Sequence, residues 1–590
     1  MSDRRKPLSF DTTLRNPGRI VSFVSVISKF EGQLLDENLI IKIEAEITRW
    51  KLATPTKGTL GTYRNNWQGR HGKFLADDTS LEAARKVTEL YDKWRKSKSG
   101  ESSLDDIIYL MKNTVTDHKD AGFKYGWSTR FHTQTIFLNE LGFTYLRPGK
   151  KVMISPNGKL LISQYDKNGT PSKNYDENPE NSAYLTAFAK YQTNNPWRHN
   201  TVKVNFLKLF LQTASYLDSK YNSKGIHRRE LAFFIVWPNN DYKGLADLIY
   251  KFRKNLGFNA LLDDEKVYDY ALNVLDPTTD NFQRASMEFK KEKESDYKIS
   301  KILRETPDDV MRKLRQSKIV SLRGNGYYLD INNAEKQKID YIVNNINNHP
   351  ELSDSDYAYF NYIGALESKL AFNNVHTPEE ERLLSSAKKI TLRNKANEYN
   401  WDKLKFEMAI ACGKEASDDM LLKEIDKPTR MEFLAAIVMC KALPSVDVEP
   451  NYKVDDEGIP YNHASGATNT SSGADINVYQ GDTQVLLEPT ISKTRSFQVE
   501  HEIPSIKSHL MNAIKKSKEN HEYNRTFSMF LADKIVKGDV ADQVEFFRYR
   551  LNVNIYLWES TDYIEFSKNV KSLNDYAVIR PYGKMSKKVD

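Results

Sequence analysis

Several features that often reveal a protein's class are scarce or missing here. Two cysteines, Cys412 and Cys440, are too few for a disulfide framework or a structural zinc site. No run of 18 apolar residues occurs, so we expect no membrane-spanning helix and no membrane partner. The basic first residues lack the apolar run of a secretory signal, and there is no internal repeat. These absences lead us to expect a cytoplasmic protein.

The composition is that of a globular protein with a slight excess of positive charge. With 590 residues, 39% of them hydrophobic and 28% charged, the chain is expected to form roughly three to five domains. The net charge of +8 favours a polyanionic partner only weakly, because many basic proteins bind no nucleic acid. The motifs must therefore identify the function.

A helix, a two-stranded hairpin and a second helix are predicted between residues 128 and 160. Ser128 suits a helix N-cap, and Gly142 suits the position just after a helix end. A hairpin is predicted at 143–154, and Pro156 suits the first turn of the next helix. This order is typical of a winged helix-turn-helix.

Two further segments have a related pattern. A helix at 308–316 precedes a hairpin that turns at 324–326, and two apolar helices are predicted at 204–216 and 228–236. Such units are often packing modules that contact no DNA, but three of them in one basic chain favour a DNA-recognition region. Arg130 and Gln134, near the start of the first helix, are chemically suited to guanine and adenine edges.

These patterns divide the chain into three predicted regions. Residues 1–335 form a DNA-recognition region with winged-helix and helix-turn-helix units. Residues 336–424 are helical in period, rich in Asn, Lys and Glu, and form a helical connector. Residues 425–590 differ in character and form the third region.

A β-hairpin is the strongest local signal in the third region. Two alternating runs, 474–480 and 483–490, flank a two-residue Gly-Asp turn. In the simplest register Gln480 faces Thr483 across the turn. One face of the hairpin is then uniformly apolar and is predicted to be buried; its residues are Ile476, Val478, Val485 and Leu487.

The other face of this hairpin brings two carboxylates together. In the same register Asp475 lies directly opposite Glu488, with Cβ atoms about 4.5–5.5 Å apart. A bound divalent cation would relieve their repulsion, and Mg²⁺ prefers one or two carboxylates together with waters and a phosphate. A metal held there can activate water and stabilise charge on a phosphodiester. The alternative is a solvated strand face with two acidic residues and no ligand.

The elements around the hairpin follow a known order. An apolar helix at 430–439 precedes it, and a helix opened by Pro504, a strand, a helix near 540–549 and a last strand at 553–558 follow it. This is the order of the PD-(D/E)xK nuclease core. We therefore expect a multidomain α+β protein with a winged-helix-type DNA-recognition half, a helical connector and a C-terminal α/β PD-(D/E)xK core.

The sequence resembles the AlwI family of type IIS restriction endonucleases, which includes related site-specific nicking endonucleases. The similar segments are 8–20 (LSFDTTLRNPGRI), 127–130 (WSTR), 462–466 (NHASG), 473–476 (GADI), 487–493 (LEPTISK) and 497–500 (FQVE). The resemblance implies Mg²⁺-dependent hydrolysis of double-stranded DNA at a fixed distance outside a short asymmetric site. It also implies a cognate DNA methyltransferase in the same restriction system.

The resemblance further implies a set of acidic site residues. Asp475 and Glu488 would be the metal ligands. Glu500 would be a third acidic site residue, and Glu432, on the helix before the hairpin, a fourth that supports the metal or the water.

The chain departs from the general nuclease motif at one position. Thr490 stands where the motif has a lysine, which leaves open whether Lys493 or Glu500 orients the attacking water. His463 and His501 are alternative general bases, although hydrogen bonds within loops are the expected role beside an acidic metal site.

Two other functions fit the same sequence. One active site cuts one strand, so the chain could be a strand-specific nicking endonuclease or the large subunit of a heterodimeric restriction enzyme. Double-strand cleavage would then need a transient homodimer or a second subunit. From another class, a non-catalytic winged-helix DNA-binding regulator would use the acidic hairpin only as a structural element.

Overall fold

The protein is described by a computed structural model that covers residues 7–10, 14, 17–54, 81–113, 127–172, 175–198, 202–273, 298–347, 355–373, 378–461, 473–520, 522–536 and 538–580. The α-helices longer than one turn are α1 Ile20–Ser28, α2 Glu37–Arg49, α3 Leu81–Lys96, α4 Leu104–Lys112, α5 Trp127–Glu140, α6 Pro156–Leu161, α7 Asn178–Lys190, α8 Phe206–Tyr221, α9 Leu231–Val236, α10 Tyr242–Leu256, α11 Asp264–Asn273, α12 Thr306–Gln316, α13 Lys336–Asn345, α14 Asp356–Ile363, α15 Pro378–Glu398, α16 Trp401–Cys412, α17 Lys427–Ala442, α18 Ile503–Asn520, α19 Asp539–Leu551 and α20 Ser560–Ser567.

The strands are β1 Thr144–Tyr145, β2 Met153–Ile154, β3 Ile226–His227, β4 Val320–Arg323, β5 Tyr328–Ile331, β6 Asp447–Pro450, β7 Ile476–Gln480, β8 Thr483–Thr490, β9 Arg525–Ala532 and β10 Ile555–Glu559. The protein is thus a mixed α and β structure, as the sequence predicts. Among the described residues, no helix combines the length and the apolar character that a bilayer crossing requires.

The chain forms two compact units. The N-terminal unit takes its described residues from 1–317 and 336–374, and the C-terminal unit from 318–335, 375–463 and 469–590. This division differs from the three predicted regions. The segment predicted as one connector is divided near residue 375, because α15 and α16 both pack against α17 and therefore belong with the C-terminal unit.

The predicted helix–hairpin–helix segment is present in the N-terminal unit. Helix α5 is followed by Gly142 with a φ of 65°, the left-handed conformation that glycine adopts readily after a helix. A Cβ atom on this residue would lie 2.0 Å from Cγ2 of Ile363, so the close packing also requires glycine. Thr144 pairs with Ile154 in the short hairpin, and Pro156 opens α6.

The second predicted hairpin is confirmed, and it belongs to the C-terminal unit. Val320 pairs with Ile331 across the turn. Arg323 at the end of β4 forms ion pairs with Asp456 at 2.9 Å and with Glu457. These bonds attach the hairpin to the loop that follows β6.

A five-stranded sheet organises the C-terminal unit. Its strand order is β10-β9-β8-β7-β6. Strands β8, β9 and β10 are parallel, whereas β6, β7 and β8 are antiparallel. The predicted strands and helix after the hairpin are confirmed as β9, α19 and β10. Strand β6 was not predicted, because its four residues include two acidic residues and end in proline, a composition that suits an edge strand or a loop.

Both faces of this sheet are covered. Helices α18 and α19 contribute to an apolar core that includes Leu486, Ile506, Leu510, Phe530 and Val544. Helix α17 packs against β6 and β8. All eight residues of β8 are consequently buried.

The helix predicted to begin at Pro504 begins earlier. Helical residues Arg495–Phe497 continue through a π-helical turn, Gln498–Glu502, directly into α18. Proline has no N–H group to donate, and the π-helical turn changes the hydrogen-bond pattern just before Pro504. Pro504 lies in the first turn of α18, as predicted, but the helical residues that precede it were not predicted.

Candidate active site

The β7–β8 hairpin has the predicted register. Gln480 pairs with Thr483, and Ile476 pairs with Leu487. The four apolar side chains of one face are each 0% exposed, as predicted: Ile476, Val478, Val485 and Leu487. Continued by one residue, the register places Asp475 opposite Glu488.

Glu488 is held in the interior of the unit. Its side chain is buried, and the residue is only 5% exposed. The main-chain N–H of Asp475 donates to one carboxylate oxygen at 3.3 Å, and Nδ1 of His509 lies 3.0 Å from the other. The strand face is therefore not solvated at Glu488, because this carboxylate is withdrawn from water.

Asp475 faces several other carboxylates. Burial raises the pKa of Asp475 well above its usual range, and the negative charges of Glu432, Glu488 and Glu502 raise it further. Glu432 is a buried residue of α17. The structure thus brings together three of the predicted acidic residues, Asp475, Glu488 and Glu432, and adds Glu502.

Thr490, at the position of the motif lysine, holds this additional acidic residue. Its hydroxyl donates to a carboxylate oxygen of Glu502 at 2.9 Å, and the main-chain N–H of Ser492 donates to the same hydroxyl oxygen at 3.2 Å. Burial and the neighbouring Glu488 raise the pKa of Glu502, while the bond from Thr490 opposes this rise. In place of a cation, the chain here supplies a hydroxyl donor.

His509 completes the surroundings of Glu488. It is a residue of α18, and its second ring nitrogen lies 3.4 Å from the Ser505 hydroxyl. Glu502 and His509 are seven residues apart, close to two helical turns, so both side chains point to the same side of the helix. Sequence reasoning missed both residues, although this spacing was a usable signal.

The donor chemistry of the cluster fits Mg²⁺. Carboxylate oxygens from one or two residues, completed by waters and a phosphate, are the usual protein environment of this ion. Asp475 and Glu488 supply such oxygens from neighbouring strands. Within the described ranges, no three His, Cys, Asp or Glu side chains stand in a ready-formed metal-binding arrangement.

Two predicted residues lie outside this cluster. The Nζ atom of Lys493 forms an ion pair with Asp533 at 2.6 Å, just beyond the end of β9. Glu500 is exposed on the π-helical turn. The structure therefore places Glu502, and not Glu500, beside Asp475 and Glu488.

The remaining predicted residues are His501, His463, Arg130 and Gln134. His501 is exposed, with its ring 5.6 Å from that of Phe497, and His463 lies outside the described residues. Arg130 lies in α5, but its side chain is also outside the described part of the chain. Gln134, in the same helix, is only 3% exposed, so the structure does not present this side chain at the surface.

The AlwI restriction endonuclease family matches residues 139–425 and 412–559 of this sequence. The chain belongs to that family. The matched range includes all four carboxylates of the cluster, together with Thr490 and His509. Membership of the AlwI family supports a site-specific endonuclease that acts on DNA, and specifically a restriction endonuclease of the type IIS class.

A solved structure titled "Structure of restriction endonuclease FokI" matches with 11% identity and a TM-score of 0.22, covering 94% of this chain and 95% of that chain. So low a TM-score supports no conclusion about the fold. None of the curated proteins matches this sequence.

Proposed function

We propose that this member of the AlwI family binds a short asymmetric site in double-stranded DNA and hydrolyses phosphodiester bonds at a fixed distance outside it. The observation that carries the proposal is the cluster of four carboxylates in the C-terminal unit, in which Glu432 and Glu488 are buried and Asp475 and Glu502 are half-buried. Their order among the sheet and helices suits a PD-(D/E)xK nuclease core. A purely structural role explains such a cluster poorly, because like charges in an interior oppose folding.

Asp475 and Glu488 would hold the metal ion, with support from Glu432. Bound there, Mg²⁺ would activate a water molecule and stabilise the charge that develops on the phosphodiester. His509 fixes the orientation of the Glu488 carboxylate through its 3.0 Å contact. This contact leaves the second oxygen of Glu488 beside Asp475.

Glu502 is the best-placed residue to accept a proton from the attacking water. Thr490 restrains its carboxylate, and its raised pKa makes it a better proton acceptor than an exposed glutamate. Lys493 and Glu500 remain proposals from the sequence. Both are exposed, where a DNA phosphate or a solvent water can reach them.

Recognition is assigned to the N-terminal part of the chain. We propose residues 1–335 as the DNA-recognition region with winged-helix units, 336–424 as a connector and 425–590 as the cleavage domain. The helix–hairpin–helix order of α5, β1, β2 and α6 supports a winged helix. Arg130 remains a proposed base-reading residue, and the burial of Gln134 makes it the weaker of the two.

A nicking activity is the second candidate. The described residues contain one such carboxylate cluster, and a single centre cuts a single strand. If the chain acts alone it would nick one strand, whereas double-strand cleavage would need a transient homodimer or a second subunit.

Cleavage of supercoiled plasmid tests the proposal. We expect nicked or linear product in Mg²⁺ and none with EDTA, and sequencing the ends would give the recognition site and the cleavage offset. Nicked product alone would support the nicking endonuclease, and linear product would support double-strand cleavage. Site-specific binding without cleavage in Mg²⁺ would contradict the proposal and favour a DNA-binding regulator.

A further inference from the structure

Asn451 follows the edge strand β6 and lies beside Asp475. In the register of β6 and β7, Pro450 pairs with Ile476. Continued by one residue, this register places Asn451 opposite Asp475, just as the β7–β8 register places Asp475 opposite Glu488. The three polar residues therefore lie in one row, with Asn451 just after β6, Asp475 just before β7 and Glu488 within β8.

Two hydrogen bonds from Asn451 hold the backbone at Asp475. Its main-chain N–H donates to the carbonyl oxygen of Asp475 at 2.8 Å. Its side-chain Nδ2 donates to the carbonyl oxygen of Ala474 at 2.6 Å. Neither Ala474 nor Asp475 lies within strand β7, so these bonds restrain a segment that the strand itself does not include.

Asn451 is itself well anchored. Nζ of Lys388, from α15, donates to the carbonyl oxygen of Pro450 at 2.7 Å and lies 5.4 Å from the ring of Tyr452. The Tyr452 side chain is buried. Residues on both sides of Asn451 are thus fixed to the body of the C-terminal unit.

We propose that Asn451 is a positioning residue that sets the Asp475 carboxylate against Glu488, so that both can bind one divalent cation. The inference rests on the proposed function. Once both carboxylates are ionised they repel each other until a cation binds between them, and Asn451 limits the resulting movement from the side opposite Glu488. Its main-chain bond is one that almost any residue can make, but the bond from Nδ2 requires a side-chain amide.

Binding of Mn²⁺ to the full-length protein, measured by calorimetry, tests this role. Residues that orient metal ligands typically contribute about 10–100-fold to metal affinity. We therefore expect Asn451→Ala to weaken Mn²⁺ binding by about tenfold or more. The Mg²⁺ concentration for half-maximal cleavage should rise by a similar factor, while the rate at saturating Mg²⁺ changes little. An unchanged Mn²⁺ affinity would overturn the proposal.

Asn332→Ala is the matched control. The Asn332 side chain also donates to a main-chain carbonyl, that of Lys318, at 2.9 Å, and it is buried in the same unit. Its replacement should lower the free energy of unfolding and leave the Mn²⁺ affinity unchanged. An equal loss of affinity in this control would mean that general destabilisation explains the result, and would contradict a specific role for Asn451.

Asn451→Asp provides an independent test if the alanine variant does not fold. Aspartate keeps the size and the main-chain N–H, but its carboxylate cannot donate to Ala474. The added negative charge alone would strengthen cation binding, whereas loss of positioning would weaken it. Weaker binding supports the proposal, and equal or tighter binding overturns it.

Asp475→Ala separates this inference from the proposed function. If Asp475→Ala binds Mn²⁺ like the wild type, the assignment of the metal site fails. If Asp475→Ala loses binding and Asn451→Ala retains it, only the role of Asn451 fails.

Discussion

Two places in the molecule, one in each unit, treat buried charge in opposite ways. In the N-terminal unit, Glu230 is 0% exposed and Arg253 binds it at 2.6 Å. Arg198 and Glu140 form a second such pair at 2.6 Å. In the C-terminal unit, by contrast, buried carboxylates face one another, and His509 is the basic side chain that contacts Glu488.

We interpret this contrast as one between charge with a structural role and charge with the proposed catalytic role. A buried pair of opposite charges is neutral overall, and removing one partner leaves an uncompensated charge. The negative charge of a cluster of carboxylates is compensated only when the cluster binds protons or a cation. Groups with perturbed pKa values gather at functional sites for this reason, and the C-terminal cluster fits that pattern whereas the N-terminal pairs do not.

The largest expected effect concerns the two proposed metal ligands. Asp475→Asn and Glu488→Gln keep the size of each side chain but remove the charge that would hold the cation. We expect single-turnover cleavage to fall at least ten-thousandfold, or about 5 kcal/mol, with unchanged affinity for the specific site. Asp482→Asn, in the exposed turn of the same hairpin, is the control and should cleave normally. Normal cleavage by either variant would contradict the proposed role of these carboxylates in catalysis.

Breaking the buried pair of the N-terminal unit should act on stability instead. Glu230→Ala leaves Arg253 buried without its carboxylate, which should cost about 3–5 kcal/mol of unfolding free energy. Denaturant unfolding measures the loss. The double variant Glu230→Leu with Arg253→Met should recover much of it, because an apolar pair of similar volume needs no compensation. If Glu230→Ala is as stable as the wild type, the ion pair between Glu230 and Arg253 is not needed for stability.

Two glutamates on the same helical segment of the C-terminal unit, Glu502 and Glu500, can be compared directly. Glu502 is half-buried and accepts a hydrogen bond from Thr490, whereas Glu500 is exposed. We expect Glu502→Gln to slow single-turnover cleavage roughly a hundredfold, as for a general base, and Glu500→Gln to have little effect. The reverse order would favour the residue predicted from sequence over the one that the fold brings to the cluster.

The smallest expected effect is a pH dependence of stability without metal. The folded protein retains a proton on Asp475 that the unfolded chain loses near pH 3.9. Stability is therefore lost as the pH rises from about 4 through the folded pKa of Asp475. Thermal unfolding in EDTA should show this slope, and Asp475→Asn should reduce it and be the more stable protein at neutral pH. A slope of the opposite sign would contradict the raised pKa.

Local patterns in the sequence were sufficient to predict the β7–β8 hairpin. Its register depends on a two-residue turn and on alternating apolar residues, both of which are encoded within 16 consecutive positions. The opposition of Asp475 and Glu488 followed from that register. The element order after the hairpin and the likeness to the AlwI family were also available from sequence alone.

Only the tertiary structure decided which other residues join these two carboxylates. Glu502, and not Glu500, faces the cluster because the helix begins at Arg495 and contains a π-helical turn, which together set the direction of every later side chain. Asn451 reaches Asp475 because a polar strand that sequence reasoning missed pairs with β7. Gln134 is buried by packing that its own helix does not specify. The direction of side chains around a helix and the pairing of strands depend on contacts between residues far apart in the chain. A local sequence pattern does not encode these contacts.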